Sequence, residues 1–210
     1  MPREEELMNY EKIRHQLEGA ANEAGFVQSS EALVGRLLRL LVAIRPGGRY
    51  LELGTGMGVG LTWLLSALGA DGEIVTVELK AEEQAVARGE LGGDDRITWV
   101  VGDGSVWLRD AVVELEATFD GVFADTWPGK YHDRDLAMRL VKPGGWYVVD
   151  DLYPQPGWPE GHQASVDRLV ADLTALEAWT TELLEVGSGI IVCVRGEVPK
   201  TGEQVMPGSL

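Results

Sequence analysis

The chain has 210 residues, enough for one domain with a substantial buried core, and 34 acidic against 18 basic side chains give it a formal net charge of -16. That balance argues against a phosphate-rich polymer as partner, because nucleic-acid affinity rests largely on Lys and Arg neutralising phosphates. One cysteine, Cys193, rules out a disulfide framework within the chain. The charged N-terminus lacks an apolar signal core and no stretch is long enough to cross a bilayer, so a cytoplasmic protein with no membrane partner is expected.

In chain order, residues 5–24 carry Leu7, Tyr10, Ile13, Leu17 and Ala21 at three- and four-residue spacing, which predicts an amphipathic helix. Its apolar stripe needs a cover, so residues 1–28 are expected to form a docking or dimerisation helix and the protein a homodimer. Residues 30–44 carry apolar side chains around most of a helix circumference, and Arg45-Pro46-Gly47-Gly48 ends that helix. Short apolar runs at 50–53, 74–78, 97–101, 119–124 and 146–150 then alternate with helical patterns at 59–69, 80–90, 104–117 and 129–141. The alternation predicts a doubly wound, mostly parallel α/β sheet. Runs at 179–186 and 190–194 flank Gly187-Ser188-Gly189, a signal for a C-terminal antiparallel hairpin. The main domain is expected over 29–195. The aperiodic tail 196–210 is expected to be mobile.

Residues 51–60 read Leu-Glu-Leu-Gly-Thr-Gly-Met-Gly-Val-Gly, and Glu78 closes the next apolar run. Glycines at 54, 56 and 58 let a strand-to-helix turn close over a ligand, and the following helix offers it unpaired N–H groups. A carboxylate ending the second strand is placed for the two hydroxyls of a ribose, so an adenosine cofactor is expected. The dinucleotide pattern G-x-G-x-x-G fails in both registers, because its last position falls on Val59 or Leu61. What stands instead is E-x-G-x-G-x-G, starting at Glu52. It resembles motif I of the class I methyltransferases that use S-adenosylmethionine.

Ligands of open α/β sheets sit at the carboxyl ends of the strands, and here those ends are acidic: Glu52, Glu78, Asp103, Asp125 and the pair Asp150-Asp151. Asp103 suits a helix cap as well as an adenine contact. Asp125, Asp150 and Asp151 are expected to converge, and like charges so placed repel unless a cation or proton intervenes. All-oxygen ligation suits Mg²⁺ or Ca²⁺. The alternative is a capped strand end with Asp151 in solvent.

The segments 123–131 (Phe-Ala-Asp-Thr-Trp-Pro-Gly-Lys-Tyr), 141–145 (Val-Lys-Pro-Gly-Gly) and 148–151 (Val-Val-Asp-Asp) resemble the metal-dependent catechol and caffeoyl-CoA O-methyltransferases. The resemblance implies a Rossmann-like methyltransferase fold of seven strands. It also implies metal ligands Asp125, Asp150 and Asp151, and a cofactor site of Glu52, Gly54, Thr55, Gly56, Gly58, Glu78, Leu79, Asp103, Gly104, Ser105, Asp125 and Trp127. Two departures stand out: the family usually has Asp-Asn where this chain has Asp150-Asp151, and the family's lysine one residue after the tryptophan is here Pro128, with Lys130 two further on.

A small hydroxyl acceptor, phenolic or catechol-like, is implied, methylated with divalent-metal assistance, with Asp125 and Lys130 as the catalytic candidates; a metal-independent small-molecule methyltransferase is the alternative. Lys130 could take the acceptor's proton or be a solvated lysine. Trp127, Tyr131, Tyr153 and Trp158 suit a flat substrate, or else only pack a lid on the sheet. His132 and His162 read as surface residues. Two other classes remain open: a nicotinamide-dependent oxidoreductase, and a cofactor-binding protein without catalysis.

Overall fold

A computed structural model describes residues 4–26, 29–155 and 158–197, with side chains from Asn9 onward. In chain order the elements are α1 (Glu4–Glu23), α2 (Ala32–Ile44), β1 (Arg49–Leu53), α3 (Val59–Leu65), β2 (Glu73–Glu78), α4 (Ala81–Leu91) and β3 (Ile97–Val101). There follow α5 (Gly104–Leu115), β4 (Phe119–Ala124), α6 (Arg134–Arg139), β5 (Val141–Val149), α7 (His162–Thr174), β6 (Trp179–Leu184) and β7 (Ile190–Arg195). The strands form one seven-stranded sheet in the order β3-β2-β1-β4-β5-β7-β6. The first five run parallel, and β7 pairs antiparallel with β5 on one side and β6 on the other. This is the doubly wound sheet with a terminal hairpin that the alternation of elements predicts.

Side chains alternate across the sheet with period two, and each face has its own core. On one face Tyr50, Ile74, Phe123, Trp146 and Val148 pack with Leu38, Leu61 and Leu64 from α2 and α3. On the other, Leu51, Leu53, Val122, Tyr147 and Val149 pack with Leu108, Leu169 and Leu173 from α5 and α7. The N-terminal strand ends are tied by Asp120, which accepts from Arg49 N at 2.9 Å, Arg45 Nη1 at 2.6 Å and Lys142 Nζ at 2.7 Å. That leaves the carboxyl ends as the open edge.

Several expectations need correction. The stripe of α1 is covered by its own chain: Tyr10, Ile13 and Leu17 join the first core, Arg14 lies 3.8 Å over the Trp63 ring, and Tyr10 donates to Asp94 at 2.7 Å. The argument from that stripe to a docking helix and a homodimer therefore loses its premise; the Leu7 side chain lies outside the described residues. The helix expected over 129–141 shrinks to α6, because left-handed Gly129 and Asp133 break it and β5 already begins at Val141. α7 was not anticipated, although its buried Val166, Leu169 and Leu173 follow helical spacing. Most of the tail expected to be mobile, from position 198 on, lies outside the described residues. No helix among the described residues is long and apolar enough to cross a membrane.

Candidate active site

The carboxyl ends of β1, β2 and β4 open into a cavity of about 340 Å³. One end is built by the glycine turn. Gly54 leaves β1 at φ 100°, and a Cβ there would lie 2.8 Å from the Asp125 carbonyl, so only glycine lets the turn pass this close to β4. Gly56 N then donates to Glu78 Oε2 at 2.8 Å, while Glu78 Oε1 accepts from Lys80 N at 3.1 Å. Gly58 caps α3.

Beneath the turn runs a line of buried polar groups. Glu52 and Thr76 are register partners on β1 and β2, and Thr76 Oγ1 donates to Glu52 Oε2 at 2.6 Å. Each hydroxyl has one proton, so Thr55 Oγ1 must donate to Thr76 at 2.6 Å, and Gln84 Nε2 supplies Thr55 at 3.1 Å. Gln84 also donates to the Val100 carbonyl on β3 at 3.1 Å. Glu52 is fully buried, and burial pushes its carboxyl up to about 8, with the Glu78 charge adding to the rise and the Thr76 bond opposing it. Among the described residues its Oε1 has no partner, nor does the buried Ser29 Oγ of the cavity wall.

At the other end, Asp125, Lys130 and Asp151 line the floor and Trp127, Tyr131, Trp158 and His162 the wall. Lys130 is brought in by the turn at Pro128-Gly129. Gly129 has φ 82°, and a Cβ there would meet Leu53 Cδ1 at 2.3 Å. The Lys130 ammonium is buried and donates to the carbonyls of Asp150 and, at 3.3 Å, Asp151. Asp151 sits at φ 56° in the left-handed region, which Asp and Asn tolerate better than most residues. Burial lowers the Lys130 pKa, with Asp125, Asp151 and Asp150 acting against it. Burial, then Asp150 and Asp151, hold Asp125 well above the usual carboxylate range. Asp150 is raised to about 6, by burial first and Asp151 second.

On the wall, His162 opens α7 and is packed between rings: Trp158 at 4.4 Å, Tyr131 at 5.3 Å and Trp127 at 5.9 Å between centroids. Its Nε2 lies 3.2 Å from the Tyr131 hydroxyl. Such a panel of ring faces suits a flat ligand.

Residues 51–152 match a family described as a methyltransferase domain. A Mycobacterium avium protein bearing the name O-methyltransferase is 32% identical over 175 residues, spanning 77% of this chain and 76% of that protein. The chain belongs to the class I S-adenosylmethionine-dependent O-methyltransferases. Among solved structures, the O-methyltransferase TomG of Streptomyces achromogenes, involved in tomaymycin synthesis and in complex with S-adenosylmethionine, is similar at TM-score 0.73 and 27% identity, over 88% of this chain and 89% of that one. An O-methyltransferase of Bacillus cereus shares the fold at TM-score 0.72 and 23% identity, over 93% and 92% of the two chains.

The methyltransferase brings most of its expected cofactor residues together. Gly54, Thr55, Gly56, Glu78, Leu79, Asp125 and Trp127 line the main cavity, and Asp103 and Gly104 line a smaller adjoining one. Glu52 lies behind the turn in the buried line. Asp103 takes its capping role, accepting from Ser105 N at 2.7 Å and Val106 N at 3.2 Å, and the Ser105 hydroxyl bonds Asp133. Of the substrate candidates, Tyr153 is elsewhere: its ring packs over Gly189, outside the cavity lining.

The metal expectation is not met by the donor set. Among the described residues no three His, Cys, Asp or Glu side chains are grouped to hold an ion. Asp150 does not line the cavity; its Oδ1 accepts from Asp151 N and Ser188 Oγ, each at 2.8 Å, and the charge among these carboxylates is the Lys130 ammonium. His162, Phe26 and Ser30 also line the cavity and were missed. His162 could have been found once the periodicity of α7 placed it at a helix start; Phe26 and Ser30 precede α2 and give no sequence signal.

Proposed function

We propose that this methyltransferase methylates a hydroxyl of a small, flat acceptor of phenolic or catechol-like character. The observation that carries the reading is the continuity of one cavity from the glycine turn and Glu78 to the ring panel of Trp127, Tyr131, Trp158 and His162. When bound, S-adenosylmethionine supplies an activated methyl group on a sulfonium, which an oxygen nucleophile takes while the carbon–sulfur pair returns to sulfur.

The chain's own groups fit that cofactor. A carboxylate has about four lone-pair positions; Glu78 spends two on Gly56 N and Lys80 N and keeps two for vicinal ribose hydroxyls. Leu79 and Trp127, 63% and 53% exposed, offer apolar faces that a base and an acceptor ring would cover. The Ser29 hydroxyl, without a partner among the described residues, offers a polar contact to a ligand's head. At the acceptor end, the rings fix the plane of the substrate, so alignment of oxygen with methyl supplies much of the rate. Divalent-metal assistance forms no part of this proposal, because Asp150 Oδ1 is engaged by Ser188 and Asp151 N and an ammonium stands among the carboxylates.

The test is methyl transfer from labelled cofactor to a panel of catechols, single phenols and aliphatic alcohols. Transfer confined to ring hydroxyls supports the reading. Transfer only to flexible aliphatic alcohols overturns it.

A further inference from the structure

Three carboxylates at adjoining strand ends repel unless a proton or a cation intervenes, and the chain places a cation among them. The turn at Pro128-Gly129 carries Lys130 two positions beyond the residue that follows Trp127, yet its ammonium still arrives in the acidic end of the cavity. There it bonds two successive main-chain carbonyls, those of Asp150 and Asp151. An ammonium has three N–H donors, so two are spent holding it in place and one is left on a side chain that lines the cavity.

We propose that the Lys130 ammonium is a built-in cation that takes the place of a divalent metal and directs its third N–H at the acceptor oxygen. This deepens the proposed function and rests on it for the identity of the acceptor, but not for the claim about the cation. The acceptor binds as its oxyanion, its proton released to water, and the fixed ammonium balances the charge that the oxygen keeps until transfer. Such a point charge holds one oxygen, whereas a metal with open positions chelates two. A single phenol should therefore serve as well as a catechol.

The experiment is a Mn²⁺ titration of the whole protein, followed by electron paramagnetic resonance of free Mn²⁺, beside methyl transfer in EDTA and in added Mg²⁺. The wild type is expected to bind no Mn²⁺ at this site up to about 1 mM, the weak end of protein cation sites. Lys130→Met, which removes the charge and keeps the bulk, is expected to gain one Mn²⁺ that Asp125→Asn in the same chain abolishes. If Lys130→Met does not fold, Lys130→Arg keeps the charge and is expected to remain free of Mn²⁺. One Mn²⁺ bound by the wild type below about 0.1 mM, and lost in Asp125→Asn, overturns the proposal, as does a folded Lys130→Met that gains none. Wild-type transfer should be equal in chelator and in Mg²⁺; a requirement for Mg²⁺ also overturns it. A protein that transfers methyl to no ring hydroxyl would sink the proposed function, yet the Mn²⁺ titration would still decide the role of Lys130.

Discussion

Replacing Glu78 by Ala removes the carboxylate expected to hold the cofactor's ribose. Two of its lone-pair positions already serve Gly56 N and Lys80 N, at 2.8 and 3.1 Å, which leaves two for the sugar hydroxyls. A hydrogen bond to a charged group contributes about 1.5–3 kcal/mol, so two at the lower limit give about 3 kcal/mol, or about 140-fold in affinity. The lower limit is the right choice because the cavity is open to water, which competes for the same hydroxyls. The variant also frees the Gly56 amide, which loosens the turn and adds to the loss. Calorimetric titration with S-adenosylhomocysteine, on a variant shown to be folded by its circular dichroism, reads the effect. A folded Glu78→Ala with a Kd within about threefold of wild type would remove the ribose role and the counting behind it.

Asp120 is 4% exposed while its partners Arg45 and Lys142 are 58% and 35% exposed, so losing it leaves charges that water can recover. Asp120→Ala should therefore cost about 2 kcal/mol rather than the larger penalty of a stranded buried ion, read by urea unfolding. Burial raises the Asp120 carboxyl, but Lys142, Arg49 N and Arg45 outweigh it and hold it below 3.8. Its stabilising share is complete above 3.8 and is lost as pH falls through the lower folded value, so the variant's deficit should shrink in acid. Glu52 has the opposite sign: with its folded value raised from 4.5 to about 8, stability is lost as pH climbs between the two, and Glu52→Gln should flatten the fall in melting temperature over that window. An unchanged slope would show that Glu52 ionises normally. Trp127→Ala should raise the acceptor KM about 2- to 12-fold through lost ring contact, with cofactor Kd little changed. A change confined to cofactor affinity would assign Trp127 to the base instead.

Much of the sheet was legible because strand residues buried on both faces form apolar runs that end where the chain must turn. The glycine turn and Glu78 were legible for a related reason, since close approach and a terminal carboxylate are both written in residue type. What could not be read was orientation. Asp150 and Asp151 are neighbours with the same side chain, yet one bonds Ser188 and the other, on left-handed backbone, lines the cavity. Lys130 looked like a solvated lysine because nothing in the order Pro-Gly-Lys shows that the turn folds inward. The fate of α1 was likewise hidden: an apolar stripe requires a cover without saying whether a partner or its own domain provides it.

The buried line from Gln84 through Thr55 and Thr76 to Glu52 makes this site rugged terrain for substitution. Its hydrogen bonds run one way, so each member is needed as donor or acceptor by the next, and an apolar replacement of any one strands its neighbour in a place water cannot reach. Four positions scattered from 52 to 84 thus behave as a single heritable trait, in which intermediates are worse than either end. A lineage that set out to change the cofactor's grip at Glu78 could vary the exposed wall one residue at a time. Beneath the turn it would have to move as a set, or stay where it is.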